Sequence, residues 1–308
     1  MDFVQIKSPA TIANLSCGFD ILGLCIDNPS DLIKISKIND KTVKIIIEDS
    51  EFSNIPNDPK LNTGGLPALK IIEDLNLDFG FEITLKKGIP LSGGLGSSAA
   101  TAIGVVKGIN FLLEDVFDDK TLIAYALEGE KLASKTPHAD NIAPCLKGGL
   151  VLVKETSPPN LIQLSINDFH IAIVHPKVEV NTQHAREILP KKINLSTAVK
   201  QWGNISGLTA GFISNDLGLI KDSMHDIIVE PIRSKFIPEY NKIKETAILN
   251  GAIGCSISGS GPSVFSLCES KEVAIIVLES MKKVLNNSNV DHHSYLSKIN
   301  HAGITLLN

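Results

Sequence analysis

The chain has 308 residues, 43% hydrophobic and 20% charged, the composition of ordinary globular material with room for one large core or two modest ones. A formal charge of -5 without a dense Lys/Arg stripe excludes a broad nucleic-acid or anionic-membrane surface, since either needs patches that neutralise phosphates. No apolar stretch approaches the roughly 18 residues that cross a bilayer and no basic segment leads an apolar one at the N-terminus, so a cytoplasmic protein is expected; five scattered cysteines without CxxC spacing suggest neither a disulfide framework nor a zinc site.

The first part of the chain is strand-rich. Short apolar runs at Val4 to Ile6, Ile21 to Ile26, Leu32 to Ile35 and Val43 to Ile47 are separated by Pro, Asn, Ser and Asp, the punctuation of strands and turns. A helix is predicted after Asn62-Thr63-Gly64-Gly65 through Ile72, and Phe81 to Leu85 alternates like a half-buried strand. The glycine-rich run Pro90 to Ala100, PLSGGLGSSAA, follows directly. Beyond it Ala99, Ala102, Ile103, Val106 and Leu113 recur near helical spacing, which predicts a helix from Ser97 to Leu113, with a second over Lys120 to Ser134. Strands return at Leu150 to Val153 and Ile171 to Val174. Helices then run to Asn250, and a strand leads into Ser258-Gly259-Ser260-Gly261-Pro262. Ser157-Pro158-Pro159-Asn160 marks a loop, which sets two expected lobes, 1–155 and 156–308.

Three constellations carry chemistry. Gly93, Gly94 and Gly96 precede two serines that open a helix, so backbone N–H groups can converge on an anion. No Lys precedes the hydroxyls, which separates this run from the P-loop and leaves the positive charge to helix amides and a metal. Ser97 and Ser98 are candidate N-caps, and one of their hydroxyls can ligate Mg²⁺; a plain glycine turn capped by serine is the competing reading. On the second helix Ile123, Ala126, Leu127 and Glu130 occupy one apolar face, which turns Glu130 inward and Glu128 elsewhere. A buried carboxylate needs a partner or a cation, so Glu130 is the candidate metal ligand, with a salt-bridged helix residue as the alternative. The third is polar: Asn14 to Asp20 (NLSCGFD), Pro137-His138-Ala139-Asp140-Asn141, Arg186 and Arg233. Singly these are surface charges or loop caps, but together they can read an amino acid, Asp for the ammonium and Arg for the carboxylate.

At this point the residues carry a family resemblance. PLSGGLGSSAA resembles the central phosphate-binding motif of the GHMP kinase superfamily, and Ser258 to Pro262 after its strand resembles the third, C-terminal motif. Within the superfamily, SPATIANLSCGFDILG, HADNIAPCLKGG, TQHAREILP and EPIRSKFIP resemble the homoserine kinases from end to end. The resemblance implies an α+β, two-lobed GHMP kinase fold: an N-terminal lobe like the second domain of ribosomal protein S5, a ferredoxin-like C-terminal lobe, and an active site in the cleft. It implies ATP-dependent phosphorylation of the side-chain hydroxyl of L-homoserine to O-phospho-L-homoserine in threonine biosynthesis. Asn14, Asp20, His138, Arg186 and Arg233 match the family's amino-acid site, with Asp20 on the ammonium and the arginines on the carboxylate. Ser98 and Glu130 match its Mg²⁺ ligands. Pro90, Leu91, Ser92, Gly93, Gly94, Leu95, Gly96, Ser97, Ser98, Ala99 and Ala100 match its ATP-phosphate run, and Asn62 and Lys87 fall where it contacts adenine.

The resemblance also shapes the expected mechanism. Mevalonate kinases use an Asp as general base near the position of Asn141, and an amide accepts no proton at neutral pH. Catalysis without a protein base is therefore expected, with Asn141 orienting the hydroxyl. Two departures stand out: Ser16-Cys17 where the family usually has Gly-Pro, and Ser92-Gly93 where it has Gly-Ser. Kinases of this family are commonly homodimers. The rival readings are another GHMP kinase, for mevalonate or shikimate, and a non-catalytic metabolite-binding regulator.

Overall fold

Strand β1 (Phe3–Ala13) and the long strand β2 (Leu22–Ile38) form the antiparallel spine of the first sheet. The computed structural model describes residues 2–48, 52, 54–134 and 138–307. The runs expected at Ile21 to Ile26 and Leu32 to Ile35 are one strand, with Asn28-Pro29 inside it. A proline is tolerated because β2 changes neighbours around it. Leu22 to Leu24 pair with β5 (Leu150–Glu155) and Leu32 to Ile38 with β4 (Gly80–Lys86), and the pairing with β1 skips from Cys25, opposite Thr11, to Ser30, opposite Pro9, so Pro29 lies in a break of the ladder where its missing N–H costs no strand bond. Strand β3 (Val43–Ile47) pairs with β4, β6 (Asn160–Leu164) with β5 and β11 (Thr305–Leu306) with β1, which completes seven strands.

Helix α2 (Ser97–Leu112) packs on β1 and β2, with α1 (Gly65–Asp74), α3 (Asp119–Ser134) and α4 (Ile142–Lys147) against it. Ala99 to Val106 are buried on every side of α2, as befits a helix that is apolar all round. The second sheet has the order β10-β7-β9-β8, from β7 (His170–Pro176), β8 (Gly254–Ile257), β9 (Val264–Cys268) and β10 (His292–Lys298). Its two faces have different partners. Ala172, Val174 and Val264 pack with Ile243 of α9 (Tyr240–Leu249) and Val277 and Met281 of α10 (Lys271–Asn287). Ile171, Ile173, Phe265 and Leu267 instead join the core that contains Ile12, Leu24 and Ile103 of the first lobe.

The long helix α6 (Leu195–Ser214) and α7 (Leu217–Ser223) add Leu208, Phe212 and Ile220 to that core. Two short helices, α5 (Thr182–Glu187) and α8 (Glu230–Arg233), carry Arg186 and Arg233. The sheets change over between β6 and β7, so a division at residues 155 and 156 falls within the β5–β6 hairpin, and β11 returns the chain to the first sheet. No helix among the described residues is long and apolar enough to cross a membrane.

Candidate active site

A cavity of about 370 Å³ is lined by the loop after β1, the glycine-rich run, α3 and the short helices α5 and α8. At one end lies the start of α2. Its N-cap is Gly96, at φ 69°, and a Cβ there would stand 2.1 Å from Thr11 Oγ1 and 2.8 Å from Asn141 Oδ1. The serines expected as caps are instead the first residues of the helix. Ser97 Oγ donates to the Ile89 carbonyl at 3.2 Å and Ser98 Oγ to Glu130 Oε2 at 3.0 Å, so no side chain caps α2 and its first-turn amides stay available at the cavity wall.

The second lobe grips the same run. Ser258 Oγ donates to the Gly94 carbonyl at 2.6 Å and Ser263 N–H to the Gly93 carbonyl at 3.2 Å. Glu130 is turned inward, as its spacing predicts, whereas Glu128 is half-exposed and pairs with Lys131 at 2.6 Å. Burial pushes the Glu130 carboxyl up to about 7, against the hydrogen bond from Ser98 and helped by the negative charge of Asp140.

Asn62 and Lys87 lie on the cavity wall near this end and both are tied into the fold. Asn62 Nδ2 donates to the Pro56 carbonyl at 2.7 Å, and its Oδ1 accepts from Gly64 and Gly65 N–H at 2.9 and 3.2 Å, which fixes the start of α1. The Lys87 ammonium is buried against the Asp31 carboxylate and also donates to the Ser97 carbonyl at 3.1 Å and Thr101 Oγ1 at 2.8 Å. All three of its donors are committed, so its charge braces the first turn of α2 from below.

The polar loops line the same cavity. Asn14, Leu15, Ser16 and Asp20 all have positive φ, and Asn14 Oδ1 accepts from Asp20 N–H at 3.1 Å while its Nδ2 donates to the Gly259 carbonyl at 3.0 Å. That turn presents Phe19 and Asp20 to the cavity. Asp20 accepts two hydrogen bonds from Arg186, the Nη1–Oδ1 contact at 3.2 Å, and His138 Nδ1 lies 3.8 Å from its Oδ1. Arg233 donates to the carbonyls of Gly259 at 2.9 Å and Ala185 at 3.2 Å, and both guanidiniums stand 5.2 Å from the Phe19 ring centroid. Asp20 and Arg186, expected at opposite ends of a bound amino acid, close on each other. Burial lowers Arg233 to about 10 and also lowers His138. Asp226 holds α8 in place by accepting from the N–H groups of Ile228, Val229 and Glu230 at 2.9, 3.0 and 2.9 Å.

Thr11 joins the site without having been singled out, and Phe19 and Asp140, both within the polar runs, gain roles that the sequence did not assign them. Phe19 is the platform for both arginines, Thr11 Oγ1 donates to Asn141 Oδ1 at 2.7 Å, and Asp140 lies in the wall with an Oδ1 that has no hydrogen-bond partner among the described residues. The signal available for Asp140 was an acid set between Ala139 and the apolar start of α4. Pro137, which opens that polar set, lies outside the described residues.

Comparison with known proteins decides the family. The GHMP kinases N terminal domain matches residues 66–149 and the GHMP kinases C terminal domain residues 208–287. A homoserine kinase of Chlorobium phaeobacteroides is 37% identical over 100% of both chains, and one of Methanococcus vannielii is 36% identical over 93% of this chain and 94% of its own. The chain belongs to the homoserine kinase family of GHMP kinases. A crystal structure of homoserine kinase from Cytophaga hutchinsonii is 44% identical and covers 100% of this chain and 98% of its own, with a TM-score of 0.95. A mevalonate kinase from L. major, 13% identical with a TM-score of 0.73 over 96% of this chain and 95% of its own, shares the fold alone. The two-lobed α+β architecture expected of a GHMP kinase is thus the one observed.

Proposed function

We propose that this chain is a homoserine kinase that transfers the γ-phosphoryl group of ATP to the side-chain hydroxyl of L-homoserine, giving O-phospho-L-homoserine for threonine biosynthesis. The observation that carries this reading is one cavity lined both by an uncapped helix N-terminus and by Asp20 with Arg186 and Arg233. The amides of the glycine run and of α2 hold the phosphates, and the dipole of α2 favours the charge that spreads over them. Asn62 borders the adenine. Substrate entry exchanges an ion pair: the amino-acid ammonium takes Asp20, beside His138 and Asn14, and the carboxylate takes Arg186 and Arg233. Mevalonate and shikimate have no ammonium to offer Asp20, which disfavours them.

The Ser98 hydroxyl and the Glu130 carboxylate fit Mg²⁺. Both are hard oxygen ligands, and a carboxylate that burial pushes to about 7 gains from a cation beside it. Bound there, Mg²⁺ would neutralise charge on the β- and γ-phosphates. Asn141 positions the acceptor hydroxyl, and its amide takes no proton, so the hydroxyl proton leaves to phosphate or solvent. Coupled ADP release with MgATP and a panel of homoserine, serine, mevalonate and shikimate tests the reading. Turnover is expected with homoserine at millimolar concentration. No turnover with homoserine would overturn it, and none with any acceptor would favour a non-catalytic binder.

A further inference from the structure

We propose that Thr11 is a positioning residue for phosphoryl transfer: its hydroxyl holds the Asn141 amide in the one orientation that presents Nδ2 to the acceptor oxygen. The inference rests on the reading above and concerns a residue for which that reading has no task. Thr11 is 1% exposed, at the point where the register of β1 on β2 shifts between Pro9 and Thr11, a kind of irregularity that re-aims side chains. Its N–H donates to the Leu95 carbonyl at 3.1 Å and its Oγ1 donates to Asn141 Oδ1 at 2.7 Å. Both bonds lie under the cap of α2, where only a residue without a Cβ leaves Thr11 Oγ1 and Asn141 Oδ1 room to meet. One backbone strand thus ties the glycine-rich run to the residue that faces the acceptor.

An asparagine amide has two ends of nearly the same shape and opposite hydrogen-bonding character. The orientation in the structure gives the Thr11 proton an acceptor. The reverse would set Nδ2 against the hydroxyl and strand that proton in a buried site, because Oγ1 has no other hydrogen-bond partner among the described residues. With Oδ1 turned to Thr11, the Nδ2 end of the amide is the one left for the substrate, so Asn141 meets it as a donor. The acceptor hydroxyl then receives a hydrogen bond from Nδ2, turns its own proton away from Asn141, and keeps a lone pair for phosphorus. In the transfer the substrate oxygen bonds to the γ-phosphorus, the bond from that phosphorus to the oxygen of departing ADP breaks, and the hydroxyl proton passes to phosphate or solvent.

A double-mutant cycle tests this, with kcat and KM measured for Thr11→Val, Thr11→Ser, Asn141→Ala and Thr11→Val/Asn141→Ala. Thr11→Val should lower kcat by roughly 10- to 100-fold, as misplacement of a reacting group does, while the acceptor KM moves less than about threefold. Thr11→Ser should recover most of the rate. In the Asn141→Ala background the loss from Thr11→Val should shrink to less than about twofold, because a residue that acts through Asn141 has nothing left to act on. A kcat for Thr11→Val within about threefold of the parent, or an equal loss in both backgrounds, overturns the proposal. Should Thr11→Val not fold, Thr11→Cys, whose thiol is a weaker donor, replaces it in the cycle with the same outcomes. A parent that phosphorylates another acceptor but not homoserine refutes the substrate assignment alone, and the cycle is then run with that acceptor; a parent inert with every acceptor overturns both.

Discussion

Asp140 is a carboxyl sealed into the wall of the cavity, 4% exposed, with Oδ1 unpartnered among the described residues. Burial first, and then the negative charge of Asp20, pushes it up to about 7. An unfolded aspartate gives up its proton near pH 3.9, so from about pH 4 to about pH 7 the folded chain keeps a proton that the unfolded chain has lost. Stability therefore falls as pH rises through that window, and the penalty is fully present above it. A gap of about three pH units corresponds to about 4 kcal/mol. Asp140→Asn removes the charge, so its urea midpoint should exceed that of the parent at about pH 8, with the two converging at about pH 4.5. An equal gain at both would sink this account of Asp140. Glu130 is legible in the sequence because helix periodicity alone turns it inward. Thr11 and Asp140 are not: one is defined by a contact with a residue 130 positions away, the other by the lack of a partner, and neither leaves a local pattern.

Within the glycine-rich run the backbone, more than the side chains, sets what is tolerated. Gly94 has φ 75°, and a Cβ there would lie 2.2 Å from the Ser258 carbonyl. Gly94→Ala would thus meet both left-handed strain and a backbone collision, and it must push away the loop that grips the run from the second lobe. A loss of more than about 2 kcal/mol in urea denaturation and of most kinase activity is expected. Ser92, at φ 51° and exposed, is the opposite case. Glycine relieves the strain there but loosens the unfolded chain, so Ser92→Gly should stay within about 1 kcal/mol of the parent. Equal damage from both variants would mean that the collision at Gly94 is relieved by relaxation. Ser16 and Ser92, where the family resemblance leads one to expect glycine, both have positive φ. Sequence pattern finds most elements of the first lobe because their apolar periodicity is strong. It misses β6, most of whose residues are exposed or half-exposed, and it splits β2 at a proline whose missing N–H matters only once the neighbouring strands are known.

For the whole molecule, the question is whether the two lobes are separate folding units, as a two-lobe reading implies. The apolar run of β7 is buried on both faces, and successive residues serve different cores: Ala172 and Val174 the one under α9 and α10, Ile171 and Ile173 the one shared with β1, β2 and α2. A second lobe standing alone would keep Leu208, Phe212 and Ile220 of α6 and α7 in the core with Ile171, Ile173, Phe265 and Leu267 but lose Ile12, Leu24 and Ile103 from it, and each side chain of this class left uncovered costs about 1.5 to 3 kcal/mol of burial. Polar ties run the same way. Gly259 N–H donates to the Ala13 carbonyl at 3.2 Å and Asn300 N–H to the Cys25 carbonyl at 3.0 Å, so the second half of the chain is stitched to the end of the β1–β2 pairing at which Ala13 faces Gly23. Unfolding of either lobe removes packing from the other, which makes a half-folded species costly. The sole tryptophan, Trp202, lies on α6 and reports on the second half, whereas far-UV circular dichroism reports on all the helices and strands. Equilibrium urea curves from the two signals should therefore superimpose in a single transition. A Trp202 transition displaced from the dichroism curve would show that the shared core does not couple the lobes, and the two-faced burial of β7 would then be contact without cooperativity.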